Sequence, residues 1–213
     1  MGRARPLQPR KRPRQRRAVE TRDRIVDAAA RIFATHGYAA GTTNRIAAEA
    51  GLSIGSLYQY FPNKDAILVA LVERHVDDGL RRFRRALARG WPQTLEARLA
   101  LVVGTLVDGH RDHPRLHQVL FEEAPHPRWV LDRLHEVERQ AVDLMVEALA
   151  ATPEVRHADV RVAARITVAT AESLVHRLVA TPEPAADPGA VGDEIVRLLL
   201  AYLTGPPSRT AER

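Results

Sequence analysis

Cysteine is absent from the 213 residues, which excludes disulfides and thiolate-ligated metal sites. No apolar run approaches the roughly 18 residues of a membrane-spanning helix. The charged N-terminus is not followed by the hydrophobic segment of a secretory signal. The expectation is therefore a cytoplasmic protein with no membrane partner. Lysine is nearly missing too: the 32 basic residues include only Lys11 and Lys64, a bias expected of a GC-rich bacterial genome. Strict apolar/polar alternation never persists beyond a few residues, so a sheet-based fold is not expected. What remains is ordinary for a globular chain, 45% hydrophobic and 27% charged. Its length suffices for a small module and a larger domain with its own core.

The net charge of +6 is unevenly placed. Residues 1–17 hold Arg3, Arg5, Arg10, Lys11, Arg12, Arg14, Arg16 and Arg17 and no acidic residue, so the rest of the chain is nearly neutral. This arm lacks apolar periodicity and is expected to be disordered in free solution over residues 1–20. Its composition suits phosphates or the minor groove of a duplex.

Helical spacing dominates beyond it. Ile25, Ala28, Ala29, Ile32 and Phe33 form the stripe of a first helix that His36-Gly37 ends. After Asn63, the residues Ile67, Leu68, Leu71, Val72, His75, Val76 and Leu80 mark a long helix reaching about Arg89. Further helices are predicted from Thr94 to His110, Pro114 to Glu123, Trp129 to Ala150, Glu154 to Ala180 and Ala190 to Leu203. The expected fold is all-α, about nine helices, with a three-helix head on a larger helical body.

The most informative stretch is Thr42–Lys64, TTNRIAAEAGLSIGSLYQYFPNK. Ile46, Ala47 and Ala50 share one face of a short helix, Gly51 can end it in the left-handed conformation, and Leu52 fills the gap to the next. Ser53 is a good N-cap for a second short helix. The outer face of that helix offers Ser56, Tyr58, Gln59 and Tyr60, while Leu57 and Phe61 face the head's own core. Such a pair presents its second helix to the major groove of DNA. Thr43, at the start of the first of the two, can give its hydroxyl to a phosphate, and Asn44 can pair with adenine. Arg45 suits either a phosphate or a surface ion pair.

The order GLSIGSLYQYF, the downstream PNKDAIL and the preceding amphipathic helix resemble the TetR/AcrR family of bacterial transcriptional regulators, over about Thr21 to Leu71. The resemblance implies base contacts at Ser53, Ile54, Gly55 and Ser56, base or phosphate contacts at Tyr58, Gln59 and Tyr60, and a phosphate-binding Lys64. One departure is Gly41, where many members carry a threonine; Thr42 and Thr43 are the candidates to compensate. The resemblance divides the chain into a basic arm (1–20), a helix-turn-helix head (21–66), a ligand-binding and dimerisation body (67–206) and a flexible tail (207–213). It also implies an effector pocket in the body, with Val103, Val107, Phe121, Trp129, Leu134, Thr170 and His176 as candidate linings, any of which could equally be plain core. The last two long helices would pair with those of a second copy. Val160, Ala163, Ala164, Thr167, Thr170, Ala171 and Leu174 line one of them with mostly small side chains; Ile195, Val196, Leu198, Leu199, Leu200, Tyr202 and Leu203 give the other more apolar surface than one face needs, with Leu199 and Leu203 expected to hold the pair.

His110, His113 and His117 have metal-ligand spacing, with Glu122 and Glu123 nearby, but Pro114 separates them onto different helices. The preferred reading is structural, with no metal and no cofactor. No catalytic constellation stands out, and the expectation is a non-enzyme. The functional expectation is a homodimeric repressor released from a palindromic operator by a small molecule. The alternatives are an activator or ligand-independent regulator of the same fold, or a non-specific nucleoid-type DNA-binding protein.

Overall fold

The computed structural model describes residues 12–111, 114–125, 128–157, 159–180 and 187–205. Among these, every regular element is helical and no strand forms. The chain divides into two compact units, Met1–Val72 and Glu73–Arg213.

In the first unit α1 spans Arg12–Ala40, with its regular helical path broken at Gly37, where φ is 73°. A side chain is rarely held there, so the His36-Gly37 stop has a steric cause. α2 (Thr43–Glu49) is N-capped by Thr42, whose hydroxyl accepts the Arg45 N–H. Gly51, with φ 64°, turns the chain into α3 (Ile54–Tyr58), capped by Ser53. Ile25, Ala29, Phe33, Ile46, Leu57 and Phe61 are all buried and form this unit's core. The arm departs in part from expectation. From Arg12 onward it is helix rather than disordered coil, and an Arg16–Glu20 ion pair at 2.9 Å on successive turns supports it. Residues 1–11 lie outside the described residues, as do His113 and the 207–213 tail.

α4 spans Lys64–Ala86, capped by Asn63 Oδ1, which accepts from Ala66 N at 2.8 Å, and a short 3₁₀ turn carries it to Arg89. In the second unit follow α5 (Leu95–His110, capped by Thr94), α6 (Pro114–Gln118) with a π turn over Val119–Glu123, α7 (Arg128–Ala150), α8 (Val160–Leu178) and α9 (Pro188–Thr204). α5 packs against α8 and α9, and α8 against α7 and α9. Leu99, Val103, Met145, Leu149, Val168, Val175, Ile195 and Leu199 fill the space between them. Arg98 fastens α5 to the end of α7, donating to the Ala148 carbonyl and the Thr152 hydroxyl.

α8 starts six residues later than the periodicity predicts. Arg156 N donates to the Leu203 carbonyl at 3.0 Å and a His157 ring nitrogen lies 2.8 Å from the Tyr202 carbonyl. These bonds commit this stretch to the end of α9, and Asp159 then caps α8 through the Arg161 and Val162 amides. Most of the residues expected to pair two copies face inward instead. Ala163, Ala164, Thr167, Ala171, Leu199 and Leu203 are buried within the unit's own core. Among the described residues, the large apolar side chains left exposed on α8 and α9 are Val162, Ile166, Leu178 and Leu198.

Candidate functional site

The start of α2 and the exposed residues of α3 meet on one surface of the first unit. Ser53 both caps α3, accepting from Ser56 N at 3.1 Å, and meets the Ser56 hydroxyl at 2.8 Å. That cap fixes how the five residues of α3 are presented. Ile54 is 37% exposed and Tyr58 51% exposed, and Gly55 and Gln59 are exposed beside them. The Tyr58 hydroxyl lies 3.3 Å from Oγ1 of Thr43, which joins α2 and α3 into one polar surface. Asn44 and Arg45 are exposed on the same end of α2, and Arg45 donates to the Ala40 carbonyl at 3.3 Å. Tyr60 is half-buried at the base of α3.

Lys64 is held by the end of α1. Its ammonium donates to the Tyr38 carbonyl at 2.9 Å and sits 3.9 Å above the Tyr38 ring. Tyr38 in turn bonds Asp65, and burial, then that carboxylate, push the phenol pKa well up, so it stays protonated. Lys64 is thus positioned at two points. Its three donors leave capacity for a further acceptor.

Gly41 has a local cause. A Cβ there would lie 2.4 Å from Phe33 Cδ1 and 2.6 Å from Cε1. The Phe33 ring occupies the volume a threonine would need. Thr42 does not replace the missing hydroxyl freely, because its own oxygen caps α2.

The second unit holds a grouping that its sequence pattern conceals. His110 and His117 do fall on separate helices, α5 and α6, yet their rings meet at 4.3 Å between centroids. His75 of α4 joins them at 5.8 and 5.3 Å, and His176 of α8 at 4.8 and 4.5 Å. Phe121 stacks on His117 at 4.4 Å. Burial, the first cause throughout, lowers all four imidazole pKa values, those of His75 and His176 to about 4. The cluster is neutral at physiological pH. In sequence, His75 is only one more member of an apolar stripe.

Of the candidate pocket residues, Phe121 and His176 belong to this cluster. Val103 and Val107 are core, meeting α9 at Gly192, whose added Cβ would lie 3.8 and 3.6 Å from them. Leu134 and Thr170 are half-buried, and the Trp129 and Glu122 side chains lie outside what is described. No helix among the described residues is long and apolar enough to cross a membrane.

Comparison with known proteins accounts for both units. Residues 25–71 match the family model described as "Bacterial regulatory proteins, tetR family", and residues 94–203 that of "Tetracyclin repressor-like, C-terminal domain". The nucleoid occlusion factor SlmA of Haemophilus influenzae is 34% identical over 110 residues, 49% of this chain and 50% of that protein. The transcriptional repressor KstR of Mycolicibacterium smegmatis is 34% identical over 102 residues, 47% and 48% of the two. The chain thus spans about half the length of these curated relatives. A tetR-family regulatory protein from Rhodococcus RHA1 shares the fold with a TM-score of 0.71 at 23% identity, over 86% of this chain and 97% of that one. FadR from Bacillus subtilis, solved with stearoyl-CoA, does so with a TM-score of 0.67 at 24% identity, over 84% and 97%. A capped helix-turn-helix in one unit and a matched helical body in the other meet in one conclusion: the chain belongs to the tetR family of bacterial DNA-binding transcriptional regulators.

Proposed function

We propose that the protein is a homodimeric repressor that leaves a palindromic operator when a small molecule binds its second unit. The observation carrying this reading is the apolar face of α8 and α9. Leu178 and Leu198 are each exposed there and line a groove with Leu174, Ala190, Val191, Glu194 and Ile195, and Val162 and Ile166 are exposed nearer the start of α8. Joining two copies through this face sets two α3 helices at a fixed spacing, and specific binding requires successive major grooves about 34 Å apart. Repression follows as simple occlusion of the promoter. The names of relatives include both the repressor KstR and the activator FasR, so the sign rests on that physical argument.

On DNA, Ser53, Ile54, Gly55, Ser56, Tyr58 and Gln59 approach base edges, Ile54 reading a thymine methyl by contact. Thr43, Arg45, Tyr60 and Lys64 hold phosphates, and Asn44 reaches toward the groove. The effector site is the half-buried set Phe121, Leu134, Thr170 and His176. α4 begins at Lys64 in the first unit and runs to Ala86 in the second, so it is the covalent route for a shift. Release requires that the effector bind the DNA-incompetent state more tightly.

Tyr58→Ala is expected to weaken operator binding by about 1–3 kcal/mol with the melting temperature unchanged. Fluorescence anisotropy on a promoter duplex measures it, and unaltered affinity in a folded dimer would remove α3 from the groove. A second reading, non-specific nucleoid-type binding, draws on the basic N-terminus and on SlmA's name as a nucleoid occlusion factor. Deleting residues 1–11 removes Arg3, Arg5, Arg10 and Lys11. For the regulator, the slope of log affinity against log salt falls by about 0.9 for each phosphate no longer neutralised. Discrimination between operator and scrambled duplex persists. Equal affinity for both duplexes before deletion, and none after it, would favour the nucleoid-type reading.

A further inference from the structure

The second unit brings together His75, His110 and His117 from three helices, with one ring nitrogen of each within 4.8 Å of the others. Two details distinguish this from ordinary aromatic packing. His117 is 5% exposed, and its Nε2 is buried without a hydrogen-bond partner among the described residues. His110 Nδ1 lies 2.6 Å from the Leu106 carbonyl, which can only accept, so the proton is on Nδ1 and the lone pair on Nε2. A ligating histidine is commonly fixed in this way, by a carbonyl on its other nitrogen.

We propose that His75, His110 and His117 form a binding site for a divalent transition-metal ion, with zinc as the best match. Three neutral imidazoles suit zinc, and three protein ligands leave a fourth tetrahedral position open. Zinc–nitrogen bonds of about 2.0–2.1 Å place ligand atoms roughly 3.4 Å apart, so the three rings close by about 1.4 Å through side-chain rotation. The flanking groups specify the fourth ligand. The Arg82 guanidinium carries a buried Nε without a partner among the described residues, and its charge acts on both His75 and His110. A cation beside it opposes a bare metal and favours an anion, such as hydroxide or a carboxylate, on the open position. The Asp78 carboxylate, which also acts on His75, partly offsets Arg82. His176 and Phe121 close the remaining sides. The absence of cysteine leaves imidazole as the chain's strongest transition-metal ligand. This inference stands whether or not a small molecule releases the protein from DNA.

The test uses the full chain, stripped with EDTA, desalted and titrated with Zn2+ against a chromophoric chelator. One ion per chain is expected, and Co2+ in its place should give the intense visible bands of a tetrahedral site. His117→Ala and, at the more accessible edge, His75→Gln should each weaken Zn2+ binding by more than about a hundredfold, since even outer-shell partners are worth ten- to a hundredfold. Retained helicity by circular dichroism keeps the His75→Gln result interpretable if His117→Ala fails to fold. His135→Ala, on the exposed face of α7, should bind as the unaltered chain does. Sub-stoichiometric binding, or binding undiminished in folded His75→Gln, would overturn the site.

Discussion

Leu198→Asp is expected to yield a folded monomer whose operator affinity falls by at least about a hundredfold. Leu198 is 52% exposed on a single chain and borders the groove between α8 and α9, whereas Leu199 is 1% exposed in that chain's core. An aspartate at 198 stays solvated in the monomer, so the fold tolerates it. It is desolvated and unpaired only when a second copy covers the face, which costs several kcal/mol and falls wholly on association. One head alone makes too small an interface for specific binding at physiological salt, and so the operator is lost with the dimer. Leu199→Asp provides the contrast. The same charge there sits in the hydrophobic core of α5, α8 and α9 and should unfold the second unit instead. Light scattering and a thermal melt separate the two results. A Leu198→Asp chain that still runs as a dimer at micromolar concentration would remove this face from the interface.

That contrast also marks the limit of the sequence. α9 carries leucine at 198, 199 and 200, so its periodicity identifies a helix but cannot say which side meets its own core. The head is far more legible because its determinants are local. Thr42, Ser53 and Asn63 cap the helices they precede, and Gly51 takes the left-handed turn its position demands. Periodicity misplaces the start of α8 because the bonds that hold residues 156 and 157 reach across to Leu203 and Tyr202, far along the chain. The histidine cluster is hidden for the same reason. His75 and His176 are about a hundred residues apart, and only the packing of the helices sets their rings beside those of His110 and His117. Local pattern reveals the helices and their caps, and tertiary packing decides which apolar and titratable faces meet.

Glu172→Gln is expected to stabilise the protein above neutral pH and to leave it unchanged near pH 4. Glu172 lies on α8, and burial, followed by the nearby charge of Glu138, raises its carboxyl pKa from the ordinary 4.5 to about 7. The folded state therefore holds a proton that the unfolded chain releases. The contribution of this group to stability is fully present below pH 4.5 and is lost as pH rises through about 7. The shift corresponds to about 3 kcal/mol at most between those limits. The buried histidines act in the opposite direction: their lowered pKa values give stability above about pH 6.5 that is lost as pH falls toward 4. The total pH profile of the unaltered chain mixes both, so the difference between it and Glu172→Gln is the informative quantity. That difference should grow between pH 5 and 8 to at most about 6–12 °C in melting temperature, at the 2–4 °C per kcal/mol expected for a chain of this size. A glutamine keeps the shape and removes only the titration. If the two melting curves stay parallel across that range, Glu172 is ionised in the folded protein and its burial is compensated by another group.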